Sequence, residues 1–164
     1  MTRMRRALLT LALATALAAV AALPAAAQFR PRPWATVNSC DPPQAPGSIG
    51  VRVSVPNRGD AAQWVRVRIQ FFDAARQSWR VVRSGGEGGF TKLSDGGTPV
   101  LGGITFTFTP PQPGNRVKLR GLVDLEWRRG RRVLSRERVT TRGGHANRAD
   151  PLLQVSAPTC EIRR

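Results

Sequence analysis

Residues 65–71 read VRVRIQF, so Val65, Val67, Ile69 and Phe71 alternate with Arg66, Arg68 and Gln70. A period of two puts every second side chain on one face of an extended chain. This stretch is therefore a strand with an apolar row turned to a core and a polar row turned out. The alternation recurs in Ile49–Val55 (IGVRVSV), in Ile104–Thr109 (ITFTFT) and through Val117, Leu119, Val123, Leu125 and Trp127. Shorter strands are expected near Trp79–Arg83, Val133–Thr140 and Leu152–Val155. Beyond the N-terminal leader no capped run of helical period occurs. About seven to eight short strands separated by Pro/Gly turns predict an all-β chain: a single antiparallel β-sandwich, immunoglobulin-like in architecture.

Two segments interrupt the pattern. Ser84–Gly103 holds eight glycines in twenty residues and reads as a long connection with a short strand around Phe90–Leu93. Thr141–Pro151, TRGGHANRADP, reads as a second polar loop. No internal repeat is visible.

The chain opens with Arg3, Arg5 and Arg6, continues with an uncharged Ala/Leu run from Ala7 to Leu23, and breaks at Pro24 before Ala25, Ala26 and Ala27. That order is the signature of a secretory signal peptide, residues 1–27, with Sec and twin-arginine export both open. The apolar run is short for a membrane anchor, and no later stretch is apolar enough to span a bilayer after the signal is removed. The expected organisation is then a signal peptide 1–27, a Pro/Arg-rich leader 28–36 and a sandwich domain 37–164. The localisation is secreted or within the cell envelope.

Removing residues 1–27 from the 164 leaves 137, the size of one domain with room for a core. The three arginines lost with the leader lower the formal net charge from +16 to +13. Lys92 and Lys118 are the only lysines, so the charge is nearly all arginine. The shortage of carboxylates implies an electropositive surface. Cys40 and Cys160 are the only cysteines. An even count in an exported chain favours a disulfide, and two cysteines allow one intrachain pairing. In the chain-entropy account a ring of this size stabilises by roughly 5 kcal/mol. Two distant thiols and one histidine, His145, lack the close ligand spacing of a zinc site.

The stretches NSCDPPQAPGSIGVRVSVP, FTPPQPG, LRGLVDLEW, TTRGGHANRADP and SAPTCEI follow in that order over most of the chain beyond the leader. In them the sequence resembles a family of secreted actinobacterial proteins of unknown function. The resemblance implies an exported sandwich held by a terminal disulfide and carries over no catalytic or ligand-binding residue.

Signatures of catalysis are absent. His145 is the one conventional base and no G-x-S-x-G elbow occurs. GGEGGFTK, residues 85–92, lacks the phosphate-cradling G-x-x-x-x-G-K-[ST] spacing. Asp124 and Glu126 share one face of a strand, as glycosidase carboxylates do, but arginines surround them in sequence. Residues 126–138, EWRRGRRVLSRER, predict a hairpin. A three-residue loop Arg129–Arg131 keeps one face apolar, sets Trp127 opposite Val133 and Asp124 opposite Arg136, and makes the charge pairs exposed ones of a few tenths of a kcal/mol. Glu137 then falls awkwardly on the inner side.

The expected function is a non-catalytic module that needs no cofactor. Its arginine surface would meet an anionic polymer, a lipid headgroup or an acidic protein. The candidate anion-binding residues are Arg128, Arg129, Arg131 and Arg132 at the hairpin tip, extended by Arg66, Arg68, Arg116, Lys118 and Arg120. Sequence-specific nucleic-acid binding is disfavoured, because stacking needs exposed aromatics, tyrosine is absent, and only Trp34 and Trp64 read as outward. The alternatives are a hydrolase acting on an envelope polymer and a protein-protein interaction module that lends a strand edge.

Overall fold

The computed structural model describes residues 31–148, 150 and 155–164. The expected signal peptide, the first residues of the leader and all of the expected strand at Leu152–Val155 except Val155 lie outside the described residues. Val155 itself is not in a strand.

Nine strands form among the described residues: β1 (Trp34–Cys40), β2 (Ser48–Val55), β3 (Ala62–Asp73), β4 (Ser78–Val81), β5 (Thr91–Ser94), β6 (Val100–Thr107), β7 (Arg116–Arg129), β8 (Arg132–Thr140) and β9 (Cys160–Arg163). They make two antiparallel sheets. The smaller has the order β1-β2-β6; the larger runs β4-β3-β7-β8, with β5 on β3 and β9 on β7. The long β3 and β7 pair through ten consecutive positions, from Ala62 opposite Arg128 to Phe71 opposite Leu119. Two strands share the far edge of each. β4 and β5 lie along β3, while β8 and β9 lie along β7.

The core lies between the sheets. Ile49, Val51, Val53 and Val55 of β2 meet Val65, Val67 and Ile69 of β3 and Leu119, Val123, Leu125 and Trp127 of β7, all buried. Each such side chain contributes about 1.5–3 kcal/mol by leaving water. The layers pack closely at Gly121: a Cβ there would lie 2.8 Å from Thr141 Cγ2 and 3.1 Å from Val51 Cγ2. The Cys40–Cys160 disulfide joins the end of β1 to the start of β9, and so fastens the small sheet to the large one.

The structure departs from the sequence reading in three places, and in the first two a surface expected to be open is covered. β1 begins at Trp34, inside the expected leader 28–36, and Ala35, Thr36 and Val37 are buried in succession. The stretch WATVNSC shows no clean alternation because both faces of β1 are covered. Its outer edge is closed as well, by a bridge of Ala35 to Thr141 and by paired hydrogen bonds of 3.0 Å between Val37 and Ala157.

The polar row of β2, expected to face water, is buried too. Arg52 is 7% exposed, and its guanidinium is bound by the Asp150 carboxylate and the His145 carbonyl. His145 and Asp150 therefore lie over the outer face of the small sheet. Asn38 donates to the same Asp150 carboxylate at 3.1 Å.

The hairpin takes a different register from the expected one. The loop is two residues, Gly130 and Arg131, with Gly130 at φ 57°. Trp127 faces Ser135, Glu126 faces Arg136 and Asp124 faces Arg138, and a shift between Trp127 and Arg128 leaves Leu134 as an extra residue on β8. Keeping the inner row apolar favoured the wrong register, because Arg58 from the β2–β3 connection makes a polar inner row tolerable. Its guanidinium lies 3.8 Å from the Trp127 ring centroid, donates to Ser135 Oγ at 2.6 Å and pairs with Glu137. The extra residue lets the tight turn coexist with two directly opposed charge pairs.

Candidate anion-binding face

The outer face of the large sheet is built from the polar rows of three adjacent strands. β3 supplies Trp64, Arg66 and Arg68, β7 supplies Asp124, Glu126 and Arg128, and β8 supplies Arg136 and Arg138. Register sets these side chains in two transverse rows: Arg66, Asp124 and Arg138 in one, Trp64, Glu126 and Arg136 in the other. Each central carboxylate is thereby flanked on both sides.

The two carboxylates form the floor. Asp124 is 7% and Glu126 6% exposed. Asp124 Oδ2 accepts from Arg66 Nε at 3.2 Å, Arg66 Nη2 at 3.0 Å and Arg68 Nη2 at 2.7 Å, while Oδ1 accepts from Arg138 Nε at 2.6 Å. Glu126 Oε1 accepts from Arg136 Nε at 2.9 Å, and Oε2 from Arg128 Nε at 2.6 Å. These are buried acceptors, not the weak exposed pairs expected from sequence. Burial alone would push the Asp124 carboxyl up, but the hydrogen bonds from Arg138 and Arg66 and the charge of Arg68 outweigh it and hold it below the usual carboxylate range. Glu126 is likewise raised by burial and brought below its ordinary value by Arg136 and Arg128. A general acid working near neutral pH needs the opposite displacement.

The aromatic side chains of this face are occupied by guanidinium groups. Arg128 stacks at 4.4 Å from the Trp64 centroid, and Phe90 lies 4.8 Å from Arg66 and 5.0 Å from Arg128. Above the floor is a cleft of about 320 Å³ whose walls include Phe90, Arg66, Arg136 and Arg138. Five guanidinium groups against two carboxylates leave an excess of three positive charges on one face. Arg136 and Arg138 are anchored through Nε alone, and their side chains are 71% and 62% exposed. Among the described residues their terminal nitrogens make no hydrogen bond.

The candidates named from sequence fall in three places. Arg66, Arg68 and Arg128 belong to the network just described. At the tip, Arg129 pairs with Asp60 at 2.6 Å, while Arg131 and Arg132 are exposed beside the turn. Arg116 and Lys118 stand at the far end of β7, opposite Arg163 and Glu161. Arg120 is half-buried, donates to Gln70 at 2.8 Å and covers Trp79 at 4.2 Å. The tip and the strand face are thus separate surfaces. Arg136, Arg138 and Phe90 were missed as site residues: the R-x-R of β8 shows in sequence, but its match to the D-x-E of β7 depends on the bulge at Leu134.

His145 lies elsewhere, half-buried, its ring stacked on Trp34 with centroids 4.0 Å apart. Among the described residues no group of three or more His, Cys, Asp or Glu side chains is placed to hold a metal ion, and no helix is long and apolar enough to cross a membrane. Comparison with protein-family models, with curated proteins and with solved structures found no match.

Proposed function

We propose that this is an exported, non-catalytic module that binds an anionic polymer on the outer face of its larger sheet. One observation carries the reading: Arg136 and Arg138 are held by their Nε atoms on buried carboxylates, which leaves the terminal nitrogens of both unbound in side chains that line one cleft. A guanidinium already fixed in place loses less conformational freedom when it meets a phosphate or carboxylate. The two arginines are two residues apart on one strand, hence roughly 7 Å apart, a spacing that suits successive charges along a chain better than one small anion. The occupied aromatics leave no platform for base stacking. Export rests on the leader pattern and the disulfide, and the immunoglobulin-like classification and the likeness to secreted actinobacterial proteins remain parts of this reading.

The test is binding of long-chain polyphosphate and of a carboxylated polysaccharide over a salt series. Arg136→Ser/Arg138→Ser is expected to weaken binding and to lower the slope of log K against log salt by about two. Arg131→Ser/Arg132→Ser at the tip is expected to have the smaller effect. Unchanged binding in the strand-face variant, with its thermal unfolding intact, refutes the assignment. A larger loss in the tip variant moves the site to the tip.

A further inference from the structure

The anchoring of Arg136 and Arg138 through Nε recurs farther along the same face. Arg120 Nε donates to Gln70 Oε1 at 2.8 Å, and Arg163 Nε donates to Glu161 Oε1 at 2.6 Å. Among the described residues the terminal nitrogens of these two arginines make no hydrogen bond either. Side chains two apart on a strand share a face, and β8 and β9 follow one another along the same edge of β7. Register therefore carries the outer row from Glu126 opposite Arg136, through Asp124 opposite Arg138, to Lys118 opposite Glu161 and Arg116 opposite Arg163. Between these, Leu122 faces Arg68 and Arg120 faces Gln70. All six successive positions of the row thus carry a basic side chain or stand beside one. From Glu126 to Arg116 the row spans about 33 Å.

We infer that the anionic polymer lies lengthwise along β7, and that Arg120, Lys118, Arg116 and Arg163 form a second contact, engaged together with the cleft only by chains long enough to span the face. The inference rests on the anion-binding reading of the cleft and adds the ligand class: a single flexible polyanion of at least about 33 Å. Flexibility is required because the strand twists, so successive rows turn and the bound chain must follow them. The carboxylates along the row are all bound by arginine. Glu161 is held below its ordinary value by the hydrogen bond from Arg163, with the charges of Arg116 and Lys118 adding to it. The exposed Glu87 bridges to Arg68 on the opposite edge of β3, so the uncompensated charge lies on the side of β7, β8 and β9. A chain that already occupies the cleft reaches the second contact without a new encounter, which multiplies the two affinities.

The experiment compares tripolyphosphate, too short to reach both contacts, with polyphosphates of increasing length on the full chain. Long-chain polyphosphate is expected to bind at least about a hundredfold more tightly, the gain setting in where the extended polymer passes about 33 Å. Arg116→Ser/Arg163→Ser removes two exposed cations from the far end of the row. It is expected to weaken long-chain binding at least about tenfold and to lower the slope of log K against log salt by about two. The tripolyphosphate binding that depends on Arg136 and Arg138 is expected to stay within about twofold of the parent, with thermal unfolding reporting the fold. Long-chain binding indifferent to this variant overturns the inference and leaves the cleft assignment standing. An equal loss for both probes also overturns it, because the far arginines then act through their field and not as a second contact. If Arg136→Ser/Arg138→Ser leaves both probes unaffected, the cleft assignment itself fails and the inference falls with it.

Discussion

Asp124→Asn removes a single charge with little change of shape, and it does so where three arginines converge. Two of the four hydrogen bonds to this carboxylate come from Arg66, one from Arg68 and one from Arg138. Breaking a fully buried ion pair costs about 3–5 kcal/mol, because the remaining partner keeps its charge in a poor solvent. Here the arginines are only partly shielded, their side chains 34%, 19% and 62% exposed, so water and salt recover part of that loss. The expectation is a destabilisation of about 2 kcal/mol, or a fall in Tm of roughly 6–10 °C for a domain of this size.

The pH dependence of that loss has a definite sign. The folded-state pKa of Asp124 is depressed, so its contribution is complete at neutral pH, declines as pH falls through about 4 and disappears below the lowered folded value. Urea unfolding at about pH 7 and about pH 3 should therefore show the variant clearly weaker at the first and the gap narrowed at the second. Asp60→Asn is the internal control, since Asp60 and its partner Arg129 are 72% and 66% exposed; no measurable change is expected. A variant within about 0.5 kcal/mol of the parent near neutral pH, or a gap that persists unchanged in acid, refutes the account of these carboxylates as the charged floor of the sheet.

Gly121→Ala places a methyl within 2.8 Å of Thr141 Cγ2 and 3.1 Å of Val51 Cγ2, and the layers must part to admit it. A loss of about 1–3 kcal/mol is expected, read by denaturant unfolding, and a neutral result would mean that Thr141 yields easily. Cys40→Ala/Cys160→Ala opens a link between residues 120 apart and is expected to lower stability by about 4–5 kcal/mol, with the denaturant midpoint checked against the parent chain with and without reductant.

The core was legible because alternation is a local signal. In β2, β3, β6 and β7 the apolar residues that repeat every second position are those that meet between the sheets. The disulfide followed from two cysteines and an export leader. What escaped the sequence reading depends on segments distant in the chain. Arg52 sits in a polar row, and only the return of Asp150 and the His145 carbonyl, nearly a hundred residues later, makes that row an interior one. Ala35, Thr36 and Val37 are buried in succession and so lack the pattern that betrays a half-buried strand. Glu137 seemed misplaced because its partner, Arg58, comes from another connection. The candidate site shows the same limit. The residue types R-x-R and D-x-E are plain in the sequence, but one inserted residue at Leu134 decides which arginine faces which carboxylate.

The link between the first and last strands also decides how the chain carries a load. Tension entering through β1 passes at Cys40 directly to Cys160 and leaves through β9, so the stretch between them is never pulled. With the bond closed, only the short tails beyond it can be drawn out. With it reduced, the same pull can release on the order of 400 Å of extended chain from the 120-residue separation. The disulfide is thus a mechanical shunt: it makes the sandwich nearly inextensible whatever holds its two ends.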